Sequence, residues 1–198
     1  MELYLIRHGE SESNYDGTHS GWSPVNLTEK GRRQALCAGQ LVSGLDFDRI
    51  YVSDVRRAQQ TARIVFPNAP FVFSSLIREL DNTAMRGKTK EDMLALFPDL
   101  YPACRAAFDY APLGMDCESG CHLRARAGEF LTSVAREENV RFAAVCHAGF
   151  IKACAAWVLS TPTHVPPLRV DNASVCILAF RDGRWHIRAW NITADIPE

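Results

Sequence analysis

Short apolar runs alternating with amphipathic helical stretches constrain the architecture of this chain more than any other feature. Glu2–Ile6 reads as a buried strand, with Arg7-His8-Gly9-Glu10 at its carboxyl end and a polar, loop-like stretch onward to Asn26. Thr28 is placed to cap a helix to about Val42, with Ala35, Ala38 and Leu41 or Val42 on one face. Arg49–Ser53 is a second strand and feeds a helix in which Val55, Ala58, Ala62, Val65 and Phe66 recur at helical spacing. Phe71–Phe73 is a third strand candidate, followed by an extended loop over 76–79. Helical patterns return near 90–97 and, more clearly, over 119–137, where Leu123, Ala127, Phe130, Leu131 and Val134 share a face. Phe142–Cys146 is the best buried strand of the chain and runs into His147-Ala148-Gly149 and an apolar helix through Val158. Ser174–Phe180 and Trp185–Trp190 form a terminal hairpin across an Asp182-Gly183 turn. This alternation predicts an α/β fold in three layers, α/β/α, with a mostly parallel central sheet. No repeat, linker or low-complexity segment interrupts it, so residues 1–198 are read as a single domain.

Charge and composition narrow the function. Lys and Arg number 22 against 23 Asp and Glu, for a formal charge of −1, so no domain-wide cationic excess suits nucleic acid. No apolar run approaches the ~20 residues that span a bilayer. The stretch before Arg7 lacks the cationic start of a secretory leader. The seven cysteines are odd in number and scattered from Cys37 to Cys176, which fits reduced, mostly buried thiols in a cytoplasmic protein.

In open α/β sheets, ligands gather outside the carboxyl ends of the strands. Arg7-His8 follows the first strand, Ser53 to Arg57 the second, and His147 the fourth. If those strands are parallel, two Arg and two His converge on one rim. Guanidinium forks grip phosphate oxygens in bidentate fashion, and a neutral imidazole can attack phosphorus. The convergence describes an oxyanion site.

These residues also resemble a known family. Arg7-His8-Gly9-Glu10 after an amino-terminal strand is similar to the signature of the histidine phosphatase superfamily, whose fold is phosphoglycerate-mutase-like. The remaining motifs follow in order: Asn14, Leu27-Thr28-Glu29-Lys30-Gly31 with Gln34-Ala35, Ser53-Asp-Val-Arg-Arg57-Ala58 with Thr61-Ala62, Leu76-Ile-Arg-Glu79, Cys117-Glu118-Ser119, Cys146-His147-Ala148-Gly149 and Asn172-Ala-Ser174. The resemblance implies that His8 is the nucleophile and becomes phosphorylated, while Arg7, Arg57 and His147 hold the phosphoryl oxygens. It implies that Glu79 protonates the leaving oxygen and then accepts a proton from the attacking water. Asn14, Ser20, Gly21 and Ala148 complete the substrate contacts with Arg7, Arg57 and His147. No metal or other cofactor is implied, because the Arg and His groups supply the positive charge.

The implied activity is hydrolysis of a small phosphorylated metabolite. The alternatives are a phosphoglycerate mutase and a non-catalytic binding module. A mutase must exclude water, and the stretch from Glu79 to Glu118 looks short for the extra cover this requires. Other residues keep two readings. Trp22 is either a substrate wall or a loop anchor, and Glu118-Ser119 either caps a helix or edges the pocket. Cys117, Cys121 and His122 match no common zinc spacing and read as structural or surface residues. His19, His164 and His186 read as surface or turn residues, with His19 in the loop expected to line the pocket. Arg86 stands where many family members have an acid; it either favours a second anionic group on the substrate or is simply exposed.

Overall fold

A computed structural model of the protein describes residues 1–138, 140–161 and 167–194. Strands β1 (Glu2–Arg7), β2 (Arg49–Ser53), β3 (Phe71–Ser74), β4 (Arg141–Cys146), β5 (Val175–Arg181) and β6 (Arg184–Ile192) form one sheet in the order β3-β2-β4-β1-β5-β6. Helices α1 (Glu12–Tyr15), α2 (Glu29–Leu41), α3 (Arg56–Val65), α4 (Lys90–Leu96), α5 (Leu100–Ala107), α6 (Gly120–Val134) and α7 (Ala148–Val158) connect them. The pairings β3/β2, β2/β4 and β4/β1 are parallel, and β5 alone runs against its neighbours. The mostly parallel sheet predicted from the alternation is therefore present, with an antiparallel hairpin added at one edge. Asp182 (φ 51°) and Gly183 (φ 75°) both adopt the left-handed conformation that a tight two-residue hairpin turn requires.

Alternation along β1 and β4 divides the core between the two sheet faces. Leu3, Leu5, Phe142 and Ala144 pack with Leu123, Phe130 and Phe150 of α6 and α7. Tyr4, Ile6, Ala143 and Val145 pack on the other side with Ala35 and Ala38 of α2 and Ala58 and Ala62 of α3. Both faces of the central strands are covered, which explains why Phe142–Cys146 is apolar at every position rather than at every second one. Five cysteines (Cys37, Cys104, Cys146, Cys154 and Cys176) are buried in these layers. Among the described residues no helix is long and apolar enough to cross a membrane.

Three local features depart from the sequence pattern. The loop after β1 contains α1, held by a reciprocal capping box between Ser11 and Asn14. The extended stretch over 76–79 begins instead with a turn of 3-10 helix, Ser75–Ile77. Helix α5 was unanticipated because prolines break its periodicity; Pro102 lies in the first turn, where its missing N–H is tolerated, and Tyr101 and Cys104 are buried.

Parallel register fixes where the strands deliver their last residues. Arg7 pairs with Cys146 and Val52 with Val145, so β1, β2 and β4 end at one level of the rim. The loop after His8 is clamped against α2: a Cβ at Gly31 would lie 2.0 Å from the Glu10 carbonyl oxygen. Gly31→Ala should therefore cost about 1–3 kcal/mol in urea unfolding. Gly39→Ala on the same helix, where a Cβ meets nothing nearer than 3.5 Å, should be neutral or stabilising.

Candidate active site

His8 is fixed first through its backbone. Its N–H donates to the Cys146 carbonyl at 3.0 Å, and its own carbonyl accepts from the Ala173 N–H at 3.1 Å and Asn172 Nδ2 at 3.2 Å. The ring is then fixed by what each neighbour can do. His8 Nδ1 lies 2.7 Å from the Gly9 carbonyl oxygen, which only accepts, and Arg57 Nε donates to His8 Nε2 at 3.1 Å. The proton therefore sits on Nδ1 and the lone pair on Nε2. Burial foremost, then Arg57 and Arg7, hold the imidazole pKa well below its ordinary value.

Arg57, on the first turn of α3, is 2% exposed, whereas its neighbour Arg56 faces solvent. Its Nη2 donates to the Gly21 carbonyl at 2.9 Å and its Nη1 to that of Ser23 at 3.4 Å. Thr61 Oγ1 joins the two motifs by donating to the Arg57 carbonyl at 2.8 Å and accepting from the Gly9 N–H at 3.1 Å. Burial pushes the Arg57 pKa down to about 10, opposed by the negative charge of Glu79.

His147 caps α7 from the end of β4 and is fully buried, its ring centroid 5.1 Å from that of His8. Its Nε2 lies 2.9 Å from Ser53 Oγ, which also accepts from the Val55 N–H at 3.4 Å. The serine can give its hydroxyl proton to Nε2, leaving the other nitrogen of His147 as a donor. That Nδ1 and Arg7 Nε are buried without a hydrogen-bond partner in the protein. Arg7 is anchored through Nη1 to the Val170 carbonyl at 2.7 Å.

Glu79 arrives on the loop after β3. Its Oε1 accepts from the Leu80 N–H at 2.8 Å and its Oε2 from the Gly149 N–H at 3.2 Å. Two side chains hold this loop by the Glu79 carbonyl: the Trp22 indole N–H at 2.7 Å and Arg126 Nη2 at 3.3 Å. Arg126 is gripped bidentately by Glu118, at 2.7 Å on both contacts, and also donates to the Leu76 carbonyl at 2.6 Å. Glu118 accepts in turn from the Asp81 N–H at 3.1 Å. Glu118 thus holds the acid loop, while Ser119 caps α6 through the His122 N–H at 3.1 Å.

A cavity of about 200 Å³ is lined by Arg7, His8, Asn14, Ser20, Gly21, Arg57 and Glu79, all anticipated as site residues. The His147 ring meets that of His8 edge to face, and Ala148 begins α7 beside it; neither is among the residues that line the cavity. Asn14 Oδ1 accepts from Asn172 Nδ2 at 3.1 Å, and Ser20 Oγ accepts from Ser13 at 3.0 Å. Thr18, His19, Leu80, Asn82, Phe108 and Tyr110 complete the wall. Of these only His19 was foreseen there, and its ring bonds Tyr101 at 2.9 Å and Asn82 at 3.0 Å. Phe108 and Tyr110 follow α5, whose broken pattern concealed them.

The other readings also resolve. Trp22 is a loop anchor: it faces a neighbouring cavity of about 650 Å³ and carries the Arg78 guanidinium 4.6 Å from its ring centroid. Arg86 is exposed and is not among the residues lining the smaller cavity. His122 pairs with Glu118 at 2.7 Å, Cys117 is half-buried, Cys121 is exposed, and His186 faces solvent on β6. Among the described residues no group of three or more His, Cys, Asp or Glu is arranged to hold a metal ion. His164 lies outside the described residues.

Comparison with known proteins gives the family of the chain. Residues 3–193 match the model of the histidine phosphatase superfamily (branch 1). A 2,3-bisphosphoglycerate-dependent phosphoglycerate mutase of Bartonella bacilliformis is 38% identical over 97 residues, which cover 46% of this chain and 47% of the relative. The adenosylcobalamin/α-ribazole phosphatase of Escherichia coli is 48% identical over 65 residues, covering 33% of this chain and 32% of the relative. The chain thus aligns with half or less of the length of these two relatives. A mycobacterial glucosyl-3-phosphoglycerate phosphatase, solved with VO3, superposes with a TM-score of 0.87 at 28% identity, covering 97% of this chain and 99% of that one.

The buried imidazoles carry a pH signature. His8 and His147 are held neutral in the native state, by burial first and by Arg57 next. In the unfolded chain they take up protons near pH ~6.5. Below that value the unfolded state binds more protons, so stability falls as pH drops from about 6.5 towards the depressed native values. The loss is up to about 1.4 kcal/mol per pH unit for each histidine. Urea unfolding at about pH 7.5 and about pH 5.5 should show a smaller loss in His8→Gln/His147→Gln than in the parent. Equal losses would mean that these two groups do not set the slope.

Proposed function

The chain belongs to the histidine phosphatase superfamily, and we propose that it is a phosphomonoesterase acting on a small phosphorylated metabolite through a phosphohistidine on His8. The observation that carries this reading is a buried His8 whose Nε2 lone pair meets the Arg57 guanidinium, with two further donors that have no protein partner, Arg7 Nε and His147 Nδ1, and with Glu79 on the same cavity. Nε2 attacks phosphorus as Arg57 Nε passes from it to a phosphoryl oxygen, the P–O ester bond breaks, and Glu79, which enters this step as the carboxylic acid once the anionic ester is bound beside it, gives its proton to the leaving oxygen. Nδ1 keeps its proton against Gly9, so the nucleophile needs no separate base. Water then attacks the phosphohistidine, Glu79 accepts its proton, the N–P bond breaks and inorganic phosphate leaves. Arg7, Arg57 and His147 stabilise the charge spread over the phosphoryl oxygens in both steps.

Two features favour hydrolysis over transfer between hydroxyls of one metabolite. The cations lining the cavity, Arg7 and Arg57, are both at its phosphoryl end, and no described residue lining the outer wall is cationic, Lys152 being held on the Phe108 ring outside the lining. A phosphoglycerate would bring a carboxylate to that wall. Glu79 is also half-buried while His8 is 3% exposed, so the proton carrier stands nearer solvent than the nucleophile.

Quenching during turnover of a labelled phosphomonoester should trap a protein-bound phosphate that is acid-labile and base-stable, and His8→Ala should abolish it. Label that tracks a serine or cysteine would overturn the mechanism. Glu79→Gln should slow hydrolysis of alkyl phosphates by about 10²–10⁴, the usual worth of a general acid. The loss should be smaller on p-nitrophenyl phosphate, whose phenolate leaves without a proton; single-turnover rates separate this step from slow attack by water.

A further inference from the structure

Phe108 ends α5 in the left-handed conformation, φ 54° and ψ 42°. Helices often end this way, but with glycine or asparagine, because a Cβ is strained there. A bulky aromatic at such a position is an outlier, and strain of this kind persists only where the surroundings enforce it.

The surroundings here do so at two glycines. A Cβ at Gly120 would fall 2.8 Å from the Phe108 carbonyl oxygen, so the chain passes α6 at a distance only glycine permits. A Cβ at Gly149 would lie 2.9 Å from Phe108 Cζ and 2.0 Å from Glu79 Oε1. The edge of the Phe108 ring and the Glu79 carboxylate therefore meet over one glycine Cα. The ring also holds the Lys152 ammonium 5.5 Å from its centroid, a contact that favours this orientation. It lines the catalytic cavity beside Leu80 and Tyr110.

We infer that Phe108 is a specificity-determining residue that selects phosphomonoesters whose alcohol carries an apolar, preferably planar, body next to the ester oxygen. The inference rests on the reading of Glu79 as the acid. An oxygen placed to receive the Glu79 proton puts the carbons bonded to it against the Phe108 ring. Offset or edge contact with that ring rewards a flat apolar group. No cation is among the described residues that line the cavity wall there: the Lys152 ammonium is engaged on the Phe108 ring and opposed by Glu79, and burial foremost, then Arg105, lowers the pKa of the His19 imidazole below its ordinary value, so it too stays neutral at neutral pH.

The test compares 2-phenylethyl phosphate with ethyl phosphate, which share a primary alkyl leaving group and differ in apolar body. In the parent enzyme kcat/KM should favour the phenylethyl ester by about three- to tenfold, the range expected of one aromatic contact. Phe108→Gly, which suits the left-handed backbone, should bring the ratio close to one, and Phe108→Leu should leave it in between. Circular dichroism melting establishes that each variant is folded; if the glycine variant is not, the leucine variant decides, by a ratio below that of the parent. No preference in the parent, a preference that survives in the variants, or equal losses on both esters would overturn the assignment. Failure of the parent to hydrolyse either ester, with no trapped phosphohistidine, would strike the phosphomonoesterase reading and this inference with it.

Discussion

Arg57 places a guanidinium where only 2% of the residue meets solvent, and several elements meet at that charge. It reaches His8 at the end of β1, draws the carbonyls of Gly21 and Ser23 inward, and through Thr61 holds the Gly9 backbone. A buried cation is costly unless something offsets it. Here a second cation, Arg7, stands nearby, both imidazoles are neutral, and Glu79 is the carboxylate that opposes both arginines, while Asp171, which also acts on Arg7, is already paired with Arg169. The site therefore keeps an excess of positive charge in a place shielded from water. In the proposed reaction a phosphoryl dianion completes that balance: Arg7 Nε and His147 Nδ1 are available to it, and Arg57 Nε exchanges its contact with His8 Nε2 for a phosphoryl oxygen.

The arrangement would also make His8 competent at neutral pH as the proposed nucleophile. The neighbours that would grip phosphate are the ones that keep His8 unprotonated, since each positive charge beside an imidazole disfavours a second. Gly9 then decides which nitrogen is free. A backbone carbonyl at 2.7 Å from Nδ1 and a guanidinium at Nε2 leave one tautomer, whose lone pair points at the cationic group. Charge, tautomer and direction of attack are set by contacts within a few residues of β1 and α3.

Much of this was legible in the sequence because it depends on strand ends. Apolar runs of three to five residues between helical patterns read as buried strands, and parallel pairing then brings Arg7, His8, Ser53, Arg57 and His147 together. The acid loop was legible as a motif but its supports were not. Arg126 looks like one more helical cation until its pairing with Glu118 across eight residues is seen, and Trp22 gives no sign in sequence of whether it faces substrate or backbone. Of the two readings of Arg86, the exposed one holds, for a local reason. The turn Thr83–Met85 buries Met85 completely, which directs the following residue outward. Helix α5 failed because its burial is decided by distant partners: Tyr101 is held by His19, 82 residues away.

Arg86 and α5 fall on the same part of the molecule, the stretch between Glu79 and α6 that forms the outer wall of the cavity. The residues that would do the chemistry are anchored by the sheet and its helices, so their positions follow from the strongest signals in the chain. The outer wall rests on short helices and turns whose geometry depends on contacts with the loop after β1. Gly87 (φ 76°), Phe108 (φ 54°) and Gly114 (φ 67°) all lie in this stretch with left-handed backbones. Two of the three are glycines, which take such angles without strain, and the third is an aromatic that does not. A wall built this way can change its side chains, and with them the preferred leaving group, without disturbing the strand ends behind it. Selectivity and chemistry are then separable in this fold because they are carried by segments of different structural origin, which is also why a sequence discloses the second more readily than the first.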